Sequence, residues 1–271
     1  MTLTATRTPS TIGRQRIPAP LLGLGGLLTL VALFEVLPRV GVLPREYFPP
    51  SSEIGSAIAE QTGRQVFWQA LADTLAGWAL GLAIAATAGI VLGVLIGSSR
   101  LARDLTASTI EFLRPIPSVA LIPIAVLLYG SDLESKLLLV VYAAFWQVLV
   151  QVLYGVQDVD PVALDTARVY GLGPWARMRH LTWPTALPYA MTGLRLAAAV
   201  ALILAVTSEL VIGNPGLGQL LAVAQSSGAV ETSYAIVVVT GLLGVVVNIG
   251  FRWIERRALW WHPAQRGEIN R

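Results

Sequence analysis

The sequence has no cysteine and a single lysine. Without cysteine, no disulfide, thiolate metal site or thiol nucleophile can form. The lysine, Lys136, sits in Glu134-Ser135-Lys136 rather than behind a glycine-rich turn, so there is no Walker A loop to cradle nucleotide phosphates. Histidine is scarce too. His180 and His262 fall in polar stretches with no carboxylate at metal-ligand spacing, and both are expected on the surface. No His-Glu-x-x-His occurs, so a membrane-embedded enzyme has no metal or nucleophile set to use, and no catalytic or metal-ligating residue is assigned. Charge is the last scarcity. Only 13% of the 271 residues are charged, against about 25% in a soluble domain, while 55% are hydrophobic and mean hydropathy is +0.66. Such a chain belongs in a bilayer.

Apolar runs predict six spans in an all-α, polytopic membrane protein. The first, Leu21 to Leu37, is interrupted by Glu35 and has no small-x-small cleavage site behind it, so it reads as an uncleaved span rather than a signal peptide. The segment 1–19, with Arg7, Arg14 and Arg16, reads as a flexible tail, leaving 20–271 as one membrane domain. An outer segment, 40–66, holds a short amphipathic helix from Glu53 to Glu60. The second span, Val66 to Gly97, is too long for one straight crossing and is expected to begin at the interface, with Trp68 at headgroup depth. In it Gly77, Gly81, Gly89, Gly93 and Gly97, with Ala85 in the gap, recur every four residues. Each glycine costs roughly 1 kcal/mol of helix propensity relative to alanine, and close approach of another helix is the offsetting gain.

The third span, Leu105 to Tyr129, carries Pro115, Pro117 and Pro123 and is expected to be kinked or locally unwound. Glu111 and Arg114, three apart, should pair on one face. Leu133 to Tyr154, Tyr189 to Ile212 and Tyr234 to Ile254 complete the set, with Gln147 and Asn248 expected to hydrogen-bond between helices. Segment 213–233 is a Gly-opened outer stretch with one weak helix, Gln219 to Ala224, too short to span and possible as a re-entrant piece. With the amino terminus inside, fifteen of the nineteen Lys and Arg residues fall on the inner side and four, Arg39, Arg45, Arg64 and Lys136, on the outer. The positive-inside rule therefore puts both termini and the segment 156–188 in the cytoplasm.

That segment is a polar island. Asp160 suits a helix N-cap, Pro161 the first helical position and Gly171 a break. Pro174 can open a second short helix, Trp175 to Leu181, which Pro184 and Pro188 should close, giving a helix-turn-helix at the membrane surface. Asp165-Thr166-Ala167, three residues, Gly171, nine residues, then Leu181-Thr182-Trp183-Pro184 resembles the EAA loop of ABC-importer permeases, Glu-Ala-Ala-x3-Gly-x9-Ile-x-Leu-Pro. Ala167, Gly171 and Pro184 match; Asp165, Thr166, Leu181 and Trp183 are replacements. Leu113 to Pro123, Ala186-Leu187-Pro188 before Gly193-Leu194-Arg195, and Glu209-Leu210 before Gly216-Leu217-Gly218 are similar to permeases of the sulfonate, nitrate and taurine importers.

The resemblance implies the type I importer permease fold in a prokaryotic inner membrane. It also implies partners: a second permease copy in a homodimer, two cytoplasmic ATPases carrying the ATP and magnesium, and an extracytoplasmic binding protein. This chain itself would bind no cofactor. The first helix of the loop, Val162 to Tyr170, would be the coupling helix docked on the ATPase, with Asp165, Ala167 and Gly171 setting its fit and Thr166, Leu181 and Pro184 the other residues of the coupling loop. An ionisable group inside a span costs about 2.5–3.5 kcal/mol at the bilayer centre. Glu209 is thus the candidate lining of the translocation path or gate, beside the helix-breaking Pro117 and Pro123, unless it snorkels or pairs with a neighbouring span. Glu35 has a weaker case. The cargo implied is a small anion, with a pyrimidine vitamin precursor as the alternative. An ion-coupled secondary carrier is the rival class, but the halves show no repeat and such a carrier would not need the loop.

Overall fold

The structure, a computed structural model, describes residues 19–261. Most of the expected tail, His262, Arg266 and Arg271 lie outside the described residues. The chain divides into two compact units, with the division between Gly55 and Ser56.

In the first unit, α1 (Ala19–Arg39) is the first apolar span. Leu22, Leu24, Leu27, Leu28 and Leu30 are all exposed, as on a helix surrounded by lipid. Glu35, near its end, accepts from the Ser52 backbone at 2.9 Å and the Ser52 hydroxyl at 3.1 Å. It fastens the end of α1 to the start of α2 (Ser51–Thr62), the expected amphipathic helix.

The second unit is built on α3 (Gln65–Ser98), a single helix of 34 residues. At 1.5 Å per residue it is about 51 Å long and overruns a ~30 Å hydrocarbon layer. Ser99 ends it and caps α4 (Arg100–Leu113). The chain then breaks over 114–117, makes a 3₁₀ turn at Ser118–Leu121 and enters α5 (Ile122–Tyr129), bent 82° from α4. Pro117 precedes the 3₁₀ turn and Pro123 sits in the first turn of α5, so the expected unwinding is there. Next is α6 (Leu133–Gln157).

The glycine stripe shows which helix approaches. A Cβ on Gly81 would lie 2.5 Å from Val140, on Gly89 2.8 Å from Val148 and on Gly93 2.7 Å from Val152. The same offset holds from Gly77 against Lys136 to Gly97 against Val156, so α3 and α6 run parallel. Two parallel neighbours require the chain between them to return across the membrane. That requirement makes α4 and α5 together a broken span rather than a re-entrant loop, and brings the passes to six with α1.

A lever follows: α7 (Pro161–Val169), the one-turn α8 (Pro174–Arg177), a π-helical turn at Met178–Thr182, and α9 (Trp183–Ile212). Here the sequence expectation fails, because Pro184 and Pro188 do not close the second arm. From Pro174 to Ile212 the chain is one apolar helical run of 39 residues. In an α-helix the Pro184 ring would strike the carbonyl of His180; the wider π turn, closed by Trp183 N–H to the Met178 carbonyl, moves that carbonyl away. Pro188 is carried inside α9, where the acceptor it leaves without an N–H is the Pro184 carbonyl.

Helix α9 is antiparallel to α6, with Gly155 against Ala186 and Tyr189 and Gly193 against Gln151. The chain then forms α10 (Leu217–Ser226), longer than expected, and α11 (Val230–Ala258), antiparallel to α9 through Arg195 and Glu255 at 3.1 Å. The core is small-residue packing of α3, α6 and α9 around Ala85, Ala144, Ala186, Ala197, Ala201 and Ala205. Three expected pairings are corrected among the described residues. Glu111 and Arg114 form no ion pair, and both are exposed, where water competes for each charge. Gln147 and Asn248 make no side-chain hydrogen bond; Asn248 is exposed on α11 and has no facing helix in this chain.

Candidate functional site

The fold puts two sets of polar residues at opposite faces of the second unit. At one face lie the α3–α4 junction, the α7–α8 lever and the end of α11. At the other lie the start of α6 and the segment between α9 and α10.

The lever is stiff for local reasons. The Asp160 carboxylate accepts from Val162 N–H at 2.8 Å and Pro161 occupies the first turn, so the amino end of α7 is capped. At the other end Leu172 N–H reaches the Ala167 carbonyl and Gly171 N–H the Arg168 carbonyl, both at 2.9 Å. This is a Schellman closure, and it needs a left-handed residue, which Gly171 supplies at φ +73°. Ala167 and Gly171, four apart in the motif, are therefore two halves of one turn. Asp165 is exposed and pairs with Arg168 at 2.7 Å, and Thr166 bonds back to the Val162 carbonyl. Leu181 and Pro184 are half-buried on the other arm, in the π turn and the start of α9. Val162, Val169, Tyr170 and Trp175 leave 72–87% of their surface exposed, an apolar row on a water-facing lever.

At the opposite face Glu209 is fully buried and Lys136 is 2% exposed, and they pair at 2.8 Å. The ammonium also donates to the Pro215 carbonyl at 2.9 Å and the Asp73 carbonyl at 3.5 Å. The other carboxylate oxygen accepts from the Thr74 hydroxyl at 2.9 Å and Gly218 N–H at 3.0 Å, while Thr74 accepts from Leu217 N–H. Both carboxylate oxygens and all three ammonium protons have partners, which is what allows an ion pair to be buried. Asn214, also fully buried, donates to the carbonyls of Ser131 and Asp132. The segment 213–218 is thus clasped to α3, α6 and α9 at once.

Glycine makes the clasp possible. A Cβ on Gly216 would fall 2.1 Å from the Glu209 carboxyl carbon, one on Gly218 2.3 Å from the Val206 carbonyl oxygen, and one on Gly77 2.6 Å from the Lys136 stem. Gly218→Ala is expected to cost about 3 kcal/mol, the upper range of overpacking, because a backbone carbonyl cannot rotate aside. The check is a lowered thermal unfolding midpoint in detergent, with Gly241→Ala, where a Cβ meets nothing within 4 Å, showing no loss.

Sequence reasoning found Glu209 and missed Lys136, which it placed as an outer charge. The signal was available: the chain's one lysine falls at the start of an apolar span, where an unpaired ammonium is costly. Glu209 has no solvent-accessible surface in this conformation. Pro117 and Pro123 stand apart from it, at the break between α4 and α5, where the Leu113 carbonyl, which Pro117 has no N–H to reach, accepts from the Tyr142 hydroxyl at 2.6 Å and from Ile116 N–H at 3.2 Å.

Six apolar passes among the described residues, one of them broken, joined to a stiff lever at one face, define a polytopic membrane protein. The family model described as "Binding-protein-dependent transport system inner membrane component" matches residues 89–260, and the chain belongs to that family. It is similar to the taurine transport system permease protein of Escherichia coli (29% identity, covering 89% of this chain and 90% of the relative). It is also similar to a putative aliphatic sulfonates transport permease of the same organism (28%; 87% and 89%) and to the nitrate import permease of Leptolyngbya laminosa (29%; 70% and 68%). Among solved structures, an inward-facing methionine ABC transporter chain matches with TM-score 0.62 at 19% identity, covering 71% of this chain and 96% of that one. A chain of an alginate ABC importer matches with TM-score 0.62 at 15% identity, covering 88% and 95%. The chain is an inner-membrane permease subunit of an ABC importer with the type I fold, and such permeases work with ATPase and binding-protein partners.

Proposed function

We propose that this chain forms, as a homodimer, the translocation path for a small sulfonate-, taurine- or nitrate-like anion, delivered by a binding protein and driven by separate ATPase subunits that hold ATP and magnesium. The face bearing the lever is cytoplasmic: Arg100, Arg103, Arg168, Arg177, Arg179, Arg252, Arg256 and Arg257 gather there, as the positive-inside rule requires. Helix α7, with Asp165, Thr166, Ala167 and Gly171, is the element that docks on the ATPase, and Leu181 and Pro184 carry its motion into the membrane.

One observation carries this reading. The second arm of the lever is not a separate helix but the near end of a 39-residue run whose far end bears Glu209. A push on the loop is transmitted along one rod, about 58 Å long at 1.5 Å per residue, to the clasp beneath segment 213–218. Glu209 and Lys136 then hold the outer gate, and Pro117 and Pro123 provide the flexible break beside the path.

The test is reconstitution in liposomes with the partner ATPase and binding protein. Labelled taurine, an alkanesulfonate or nitrate should accumulate with ATP and not without the ATPase. Uptake by the chain alone on a proton or sodium gradient would replace this reading with a secondary carrier. ATP-driven uptake of a pyrimidine precursor in place of every anion would move the cargo assignment only.

A further inference from the structure

Between the lever and the ends of α3 and α6 lies a cleft of about 620 Å³ lined by Arg100, Arg103, Arg168 and Arg177 and by no aspartate or glutamate. Of the nearby carboxylates, Asp104 on α4 lines the adjoining cleft rather than this one, two are committed elsewhere, and one answers a cleft arginine. Asp158 accepts from the Tyr189 hydroxyl at 2.7 Å, Asp160 caps α7, and Asp165 is paired with Arg168. Arg103 spends one donor on the Gly97 carbonyl. Arg100 and Arg177 make no ion pair and no side-chain hydrogen bond among the described residues, and Arg177 is half-buried. Two unanswered arginines and two partly answered ones lining one cleft suit an anion, because a planar guanidinium offers paired donors to tetrahedral oxyanions. Gly97 and Val156 lie within two residues of the ends of α3 and α6, so the cleft opens at the ends of the spans, on the side where headgroup phosphates are met.

We infer that this cleft binds a phosphate group between the lever and the spans, so that an anionic ligand braces α7 against α3 and α6. Two sources offer that chemistry, the headgroup of an acidic phospholipid and a free phosphate. The inference does not rest on the cargo or on the sidedness proposed above.

The full-length chain in nanodiscs tests it. Replacing part of the phosphatidylcholine with phosphatidylglycerol is expected to raise the unfolding temperature, and native mass spectrometry is expected to find retained phosphatidylglycerol. Retention should fall about 5-fold for each of Arg100→Gln and Arg177→Gln, following ~1 kcal/mol per basic residue near an anionic surface. Arg179→Gln, exposed on the same segment and outside the cleft, should leave it unchanged. Stabilisation by inorganic phosphate in pure phosphatidylcholine discs, lost in the same two variants, would assign the free-phosphate source. No response to either phosphate, or an undiminished response in both variants, overturns the site. If Arg100→Gln fails to insert, Arg177→Gln alone decides between these outcomes.

Discussion

Lys136→Met is expected to cost the folded chain about 3–5 kcal/mol, the range for removing one partner of a buried ion pair. The loss is larger than that of one bond because of what remains. Glu209 is fully buried, and without the ammonium its charge is held only by Thr74 and Gly218 N–H. The carbonyl of Pro215 also loses its donor, so segment 213–218 is freed on one side. The outcome expected is low recovery of monodisperse protein and a sharply lowered unfolding temperature. Adding Glu209→Gln should restore most of both, since a neutral amide can still accept from Thr74 and Gly218. The rescued double variant also tests the gate. If the pair works only as a structural staple, ATP-driven uptake should return with the stability. If it holds the outer gate, the double variant should fold but leak cargo without ATP, and a tight double variant would remove Lys136 and Glu209 from the gate.

Gly171→Val has the next largest effect, and on coupling rather than folding. At φ +73° a left-handed conformation costs an L-residue roughly 1–2 kcal/mol, and more for a β-branched one. A Cβ there meets nothing within 4 Å, so the substitution strains the backbone without a clash and the chain should insert and stay folded. What it loses is the Schellman closure through Ala167 and Arg168, and with it the fixed angle between α7 and the run into α9. Transport-linked ATP hydrolysis in the assembled transporter is expected to fall about tenfold, the equivalent of ~1.4 kcal/mol on the coupled step. Normal coupling in a correctly inserted variant would end the lever account. Gly171→Asn, which tolerates the left-handed region, should keep most of the coupling and separate backbone conformation from bulk.

Much of this was legible in the chain because it rests on short-range chemistry. The apolar runs, the Asp160-Pro161 start, the Gly171 break and the three prolines of the third span each act within one or two turns, and the structure has a feature at every one. The glycine stripe announced a close helix neighbour but not which helix, because any helix with a matching row of small or β-branched residues would satisfy it. Glu209 stood out for its cost in a bilayer, whereas its partner lies 73 positions away on another span, a pairing that spacing cannot reveal. The two prolines at 184 and 188 misled for a related reason. Proline's local rule ends a helix; a π turn five residues wide overrode it at Pro184, and Pro188 is carried inside α9.

The sequence by itself determined that this is a helical membrane protein with a capped, glycine-turned loop, because hydropathy and capping depend on residues close together along the chain. Only the tertiary structure decided that α3 and α6 lie parallel, that the proline-rich third span therefore crosses, and that the loop runs unbroken into the helix carrying Glu209. Those depend on which distant surfaces meet, and a stripe of glycines accepts a partner without naming it.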